Sequence, residues 1–71
     1  MSISIILKNK QGHFIAPFKA PCVPRIGEQI ELTRLDMVPP QKLRYTIGNV
    51  VHVVIEEHEM KTLQVEVYTT E

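Results

Sequence analysis

The six residues Val50-Val51-His52-Val53-Val54-Ile55 carry five β-branched side chains. After Glu56-Glu57-His58-Glu59-Met60-Lys61 the chain alternates strictly through Leu63-Gln64-Val65-Glu66-Val67-Tyr68. A β-rich run followed by period-two alternation predicts a hairpin near the centre of a small all-β domain. Upstream, Ser2 to Lys8 alternates with Ile3, Ile5 and Leu7 on one face, which predicts a first strand. Asn9-Lys10-Gln11-Gly12 is a polar turn. His13 to Ala20 resumes the alternation, with Phe14, Ala16 and Phe18 sharing a face and Pro17 demoting the segment to an edge strand or an irregular one.

Pro21 and Pro24 each remove a backbone donor, so the segment between them is not a central strand. Arg25 to Glu28 reads as a tight turn, and Gln29 to Thr33 as a short strand with Ile30 and Leu32 inward. Leu43 to Ile47 starts the next strand, which Gly48-Asn49 bulges or bends rather than ends. Helical periodicity is sustained nowhere, and at most one turn fits around Thr33 to Val38. The expected fold is all-β, a single domain over residues 1–71, with five or six short strands in a partly open barrel. A sandwich usually needs about 100 residues. Barrel closure also shields Val50 to Ile55, a segment prone to aggregate as an open edge.

A chain of 71 residues buries only about 60% of the surface its unfolded form exposes. Small domains compensate with disulfides, a metal or self-association. The one cysteine, Cys22, excludes an internal disulfide and any zinc site made of several thiolates, which leaves oligomerisation. A lone thiol reads as a small buried hydrophobe and fits a reducing compartment. The apolar start, Met1 to Leu7, ends at Lys8 and Lys10 and lacks the charge order and cleavage site of a signal peptide. No segment reaches the roughly 20 apolar residues of a membrane span. The expectation is therefore a cytoplasmic protein without membrane contact.

Charge refines the picture. The net charge is zero, yet residues 1–44 carry seven basic and three acidic side chains, against one and five in residues 45–71. If that asymmetry survives folding, reciprocal or head-to-tail self-association becomes electrostatically favourable.

Candidate chemistry is sparse. His52, Glu56 and His58 share strand parity, but His52 and His58 would lie about 20 Å apart along an unbroken strand. No metal ion bridges that span, so neither a metal nor a cofactor is expected. Cys22 with His13 or His52 lacks an orienting third group and an oxyanion site, and no catalytic residue is assigned. Gly12, Gly27 and Gly48 are scattered, unlike a phosphate loop. The chain is expected not to be an enzyme.

Two binding surfaces are legible. In the first, the connection 34–42 sets Arg34, Leu35, Met37, Val38, Pro39 and Pro40 among polar neighbours. Long loops in small domains tend to be functional, while the alternative is that Leu35, Met37 and Val38 plug one end of the barrel. The second is a nucleic-acid surface of Lys8, Lys10, Lys19, Arg25 and Arg44, extended by Arg34 and Lys42, with Phe14, Phe18 or Tyr45 as stacking platforms. A neutral chain starts with little phosphate affinity, which makes this the alternative.

Pro24-Arg25-Ile26-Gly27-Glu28-Gln29-Ile30-Glu31-Leu32 and Tyr45-Thr46-Ile47-Gly48-Asn49-Val50-Val51-His52 together resemble a pattern in small uncharacterised bacterial and phage-type proteins. The layout is also similar to Src-homology-3-like (SH3-like) barrels, in which a Gly-Asp/Glu turn opens a strand. The resemblance covers residues 24–52 and implies a fold rather than an activity. Under it Gly27 and Glu28 are turn residues, and Tyr45 and His52 strand residues. The functional expectation is a protein-binding accessory module, forming a homodimer or meeting another protein partner, with nucleic-acid binding as the alternative.

Overall fold

The computed structural model describes residues 2–71, and every regular element among them is a strand. The strands are β1 (Ile3–Lys8), β2 (Phe14–Ala20), β3 (Gln29–Arg34), β4 (Gln41–Glu57) and β5 (Met60–Thr69). They form one sheet in the order β2-β1-β5-β4-β3, curled into a half-barrel. Among the described residues no helix is long and apolar enough to cross a membrane.

Two antiparallel units build this sheet. β1 and β2 form a hairpin, closed by the Asn9 to His13 turn, in which the Asn9 side-chain oxygen accepts from the N–H of Gln11 and of His13. β3, β4 and β5 form a meander. A short parallel pairing joins the units, setting Ile5, Ile6, Leu7 and Lys8 opposite Val65, Glu66, Val67 and Tyr68. Alternation then points Ile5, Leu7, Val65 and Val67 to the same face, where Ile47 joins them as the fully buried core. Ile3, Ile15, Phe18, Ala20, Val23, Ile30, Tyr45 and Val50 pack around that centre.

Local chemistry explains the strand limits. The register of the first hairpin shifts between Leu7 and Lys8, so that Leu7 faces Ala16 and Lys8 faces Phe14. The bulge corrects the expected face of β2: Ile15 packs on the core, whereas Phe14 is exposed. Gly27, at φ +92°, makes the turn before β3, and its N–H donates to the Ile47 carbonyl at 2.8 Å. The bend expected at Gly48-Asn49 is a bulge inside one 17-residue strand, as the register shifts between Ile47 and Asn49. A Cβ at Gly48 would lie 3.0 Å from the Thr70 side chain, so a larger residue here would require Thr70 to shift by a few tenths of an ångström. The β4–β5 turn is made by His58 and Glu59, both with positive φ (50° and 69°), the twist that two-residue hairpins demand.

Three further expectations need correction. The connection after β3 is shorter than residues 34–42, because Arg34 pairs with Gln41 and Thr33 with Lys42, leaving 35–40 as a hairpin loop. Cys22 is exposed, not a buried hydrophobe, because it lies on the segment between β2 and β3 where Val23, its neighbour, takes the inward position. Closure does not shield Val50 to Ile55. β2 and β3 remain the two edges of the sheet, and β3 covers β4 only as far as Thr46.

With so few buried side chains, truncating one is costly. Leu7→Ala is expected to lose about 2–4 kcal/mol in urea unfolding, whereas Val38→Ala on the exposed loop changes stability by less than about 0.5 kcal/mol. At the turn, the double change His58→Asn and Glu59→Gly removes two left-handed side-chain penalties. It is expected to raise the protection of β4–β5 amides in hydrogen exchange by about 1 kcal/mol.

Candidate functional site

The principal feature outside the core follows from a mismatch of strand lengths. β1 spans six residues and pairs with β5 only from Val65 onward, but β4 and β5 stay paired out to Glu57 and Met60. The distal half of the hairpin therefore projects as a two-stranded arm, and the molecule measures 47 × 24 × 22 Å. Residues opposite each other in the ladder share a face. Val54 and Leu63 continue the core row out of the domain, while Ile55 and, opposite Glu57, Met60 lie on the other face. All four are exposed, by 61%, 54%, 45% and 74%. Alongside the base of the arm, Ile6, Pro17, Phe18 and Leu63 line an open groove against the β1–β2 hairpin.

This geometry leaves a measurable surplus of surface. A compact monomer of 8.2 kDa exposes about 4,500 Å². The chain exposes 5594 Å², roughly 1,000 Å² more than that compact expectation. The radius of gyration, 13.5 Å, likewise exceeds the about 11 Å of a compact chain this long.

The arm also concentrates charge. Glu56, Glu57 and Glu59 cluster at its tip with Lys61, and His58 lies 4.0 Å from the Glu57 carboxylate. Arg34 and Lys42 stand at the opposite end of β4, beside the 35–40 loop. The uneven charge of the sequence thus becomes an uneven distribution along the molecule.

The sequence-assigned binding residues fall into separate groups. Leu35, Met37 and Val38 are exposed at the β3–β4 turn with Pro39 and Pro40, and Val38 is 99% exposed. None of them enters the core, so this loop does not fill the interior. Of the basic residues, Lys8 is tied to Glu66 at 2.8 Å, and Arg44 stands 3.8 Å from Glu31. Lys19 stands on the edge strand β2, Lys10 lies in the β1–β2 turn, and Arg25 in the turn before β3. Among the described residues no three His, Cys, Asp or Glu side chains gather as a metal site would require.

One polar network is well built. The Lys8 ammonium donates to the Glu66 carboxylate, the Tyr68 hydroxyl donates to its other oxygen at 2.9 Å, and Lys8 lies 5.9 Å from the Tyr68 ring centroid. It braces the parallel β1–β5 pairing on the face away from the core. The hydrogen bond from Lys8, then that from Tyr68, holds the Glu66 carboxyl below the usual carboxylate range. The hydrogen bond from Lys8 to Glu66 raises the Lys8 ammonium, and the hydrogen bond from Tyr68 to Glu66, together with burial, raises the phenol.

The arm residues Val54, Ile55, Met60 and Leu63 were not legible as a surface in the sequence. The available signal is the length of the paired apolar segments relative to the six residues of β1. Comparison with models of known protein families, with curated proteins and with solved structures finds no match.

The network sets a pH dependence. Because the Glu66 pKa is lowered on folding, its stabilisation is present above the unfolded value, about 4.3, and is lost as pH falls through the folded value. Lys8 and Tyr68 are raised, so their contributions hold below unfolded values of about 10 and fade as pH rises through the folded ones. Glu66→Gln is expected to flatten the acid limb of the melting-temperature profile and to lower the plateau at neutral pH.

Proposed function

We propose that this chain is a non-enzymatic protein-binding module that acts by self-association. The observation that carries this reading is the arm, which holds Val54, Ile55, Met60 and Leu63 in solvent on a two-stranded support. Isolated two-stranded ribbons are marginal in water, and such a ribbon gains stability when another surface covers it. Exposed apolar patches rimmed by charge mark interaction sites, and Glu56, Glu57, Glu59 and Lys61 form such a rim. The surface surplus of roughly 1,000 Å² is close to the about 800 Å² that each partner contributes to a standard interface.

The 35–40 loop supplies a second apolar contact surface at the other end of the molecule. Kinship with Src-homology-3-like barrels belongs to the same proposal, supported by a curled sheet of five strands and by the Gly27-Glu28 turn that opens β3. So does the role of a cytoplasmic accessory protein of a bacterium or phage, which rests on the resemblance over residues 24–52. Nucleic-acid binding draws less support, because Lys8 and Arg44 already face carboxylates and Lys19 stands on a strand remote in the ladder from Arg44.

Sedimentation equilibrium tests the proposal. The chain is expected to associate at micromolar concentrations, and Leu63→Asp is expected to shift it about tenfold or more toward monomer with little change in melting temperature. A monomer at every concentration would remove the proposal.

A further inference from the structure

The edges of this sheet are not equally protected. β2 carries Pro17 and Lys19 along its outer side, and β3 is six residues long with Glu31 and Arg34. Prolines, charges and short length are the usual guards against edge-to-edge pairing. On β5 the stretch not covered by β1, Met60 to Gln64, includes Lys61. The outer side of β4 differs. It is occupied through Ile47, whose N–H donates to the Glu28 carbonyl at 2.9 Å and whose carbonyl accepts from Gly27. From Asn49 to Glu57, the ladder on that side has no partner among the described residues. Between Gly48 and Glu56 there is no lysine, arginine or proline, and five of the residues are β-branched.

Resting on the self-association proposed above, we infer that the partner is a second copy of this chain, paired antiparallel along the Asn49–Glu57 edge of β4 about a two-fold axis at Val53. The free stretch is centred on Val53, so a two-fold there uses all of it. Val51 then faces the partner copy's Ile55, Val53 its counterpart, and Val50 the partner copy's Glu56. The two arms become a four-stranded sheet, with Val54 and Leu63 of both copies forming one apolar face.

Electrostatics selects this direction over the parallel one. A parallel pairing stacks Glu56 and Glu57 on their own copies at strand spacing, about 5 Å. The antiparallel pairing separates the two Glu56 residues by about 20 Å, well beyond a Debye length of about 8 Å. It also carries each acidic tip toward Ile47 of the other copy and the adjoining turn, where Arg25 has no ion-pair partner among the described residues. A two-fold contact closes on itself, so it consumes the hazardous edge without seeding a fibre.

Cysteine cross-linking in a Cys22→Ser background tests the register. Opposed residues of an antiparallel pair lie about 4.5–5.5 Å apart between Cα atoms, inside the about 7 Å limit for a disulfide. Val53→Cys is therefore expected to oxidise to a covalent dimer. Val51→Cys alone and Ile55→Cys alone are not, since each lies about 13 Å along the strand from its own copy. Mixing those two variants is expected to give the mixed dimer as the main product. The mixed pair carries the test even if Val53→Cys fails to fold by circular dichroism.

Association by sedimentation without the mixed product, or with Ile55→Cys cross-linking to itself, overturns this inference and leaves self-association standing. A chain that stays monomeric overturns both.

Discussion

The parallel pairing of four residues of β1 with four of β5 is the contact on which the rest of the fold depends. It is the only ladder among the described residues that joins the β1–β2 hairpin to the β3–β4–β5 meander. Four of the five fully buried side chains, Ile5, Leu7, Val65 and Val67, belong to it. Its cost is the long loop that must close before any of its contacts form, since Ile5 and Val65 are sixty positions apart in the chain. The Lys8–Glu66–Tyr68 network lies on the opposite face of the same pairing, so one short ladder is braced apolar on one side and polar on the other.

The shortness of that ladder also creates the arm. Beyond Val65 toward the turn, β5 loses its β1 neighbour while β4 keeps pairing with it for several residues more. A two-stranded ribbon has no third element to cover its faces, so side chains that would be core in a wider sheet stay in water. Among the described residues no further strand covers the arm, and these residues expose more surface than their mass predicts. The proposed association answers this deficit with a neighbouring strand from a second molecule, and the glutamates at the tip constrain its direction.

Much of the fold was legible because strand periodicity is local. The alternation of Ile3, Ile5 and Leu7 and of Leu63, Val65 and Val67 gave the correct faces, and Gly48-Asn49 gave the bulge. The alternation placed Phe18 and Ala16 on the core side but misled at Phe14, because the bulge between Ala16 and Phe14 turns Phe14 outward and lets Ile15 pack on the core. The composition of the 34–42 connection left two readings of Leu35, Met37 and Val38, exposed surface or barrel plug, which their exposure separates, and no local signal located the arm. Whether Val54 or Leu63 is buried depends on how far β1 reaches beside β5, a relation between residues sixty positions apart.

By itself, the sequence determined that this is an all-β chain, where its turns fall, and that a lone cysteine leaves no internal cross-link. These are consequences of side-chain branching, backbone restrictions at glycine and proline, and residue counts. Tertiary structure alone decided which edge is left open, that the half-barrel parts between β2 and β3, and which valines meet water. Those outcomes depend on which strands become neighbours, because a strand's own pattern defines its two faces but not what covers them.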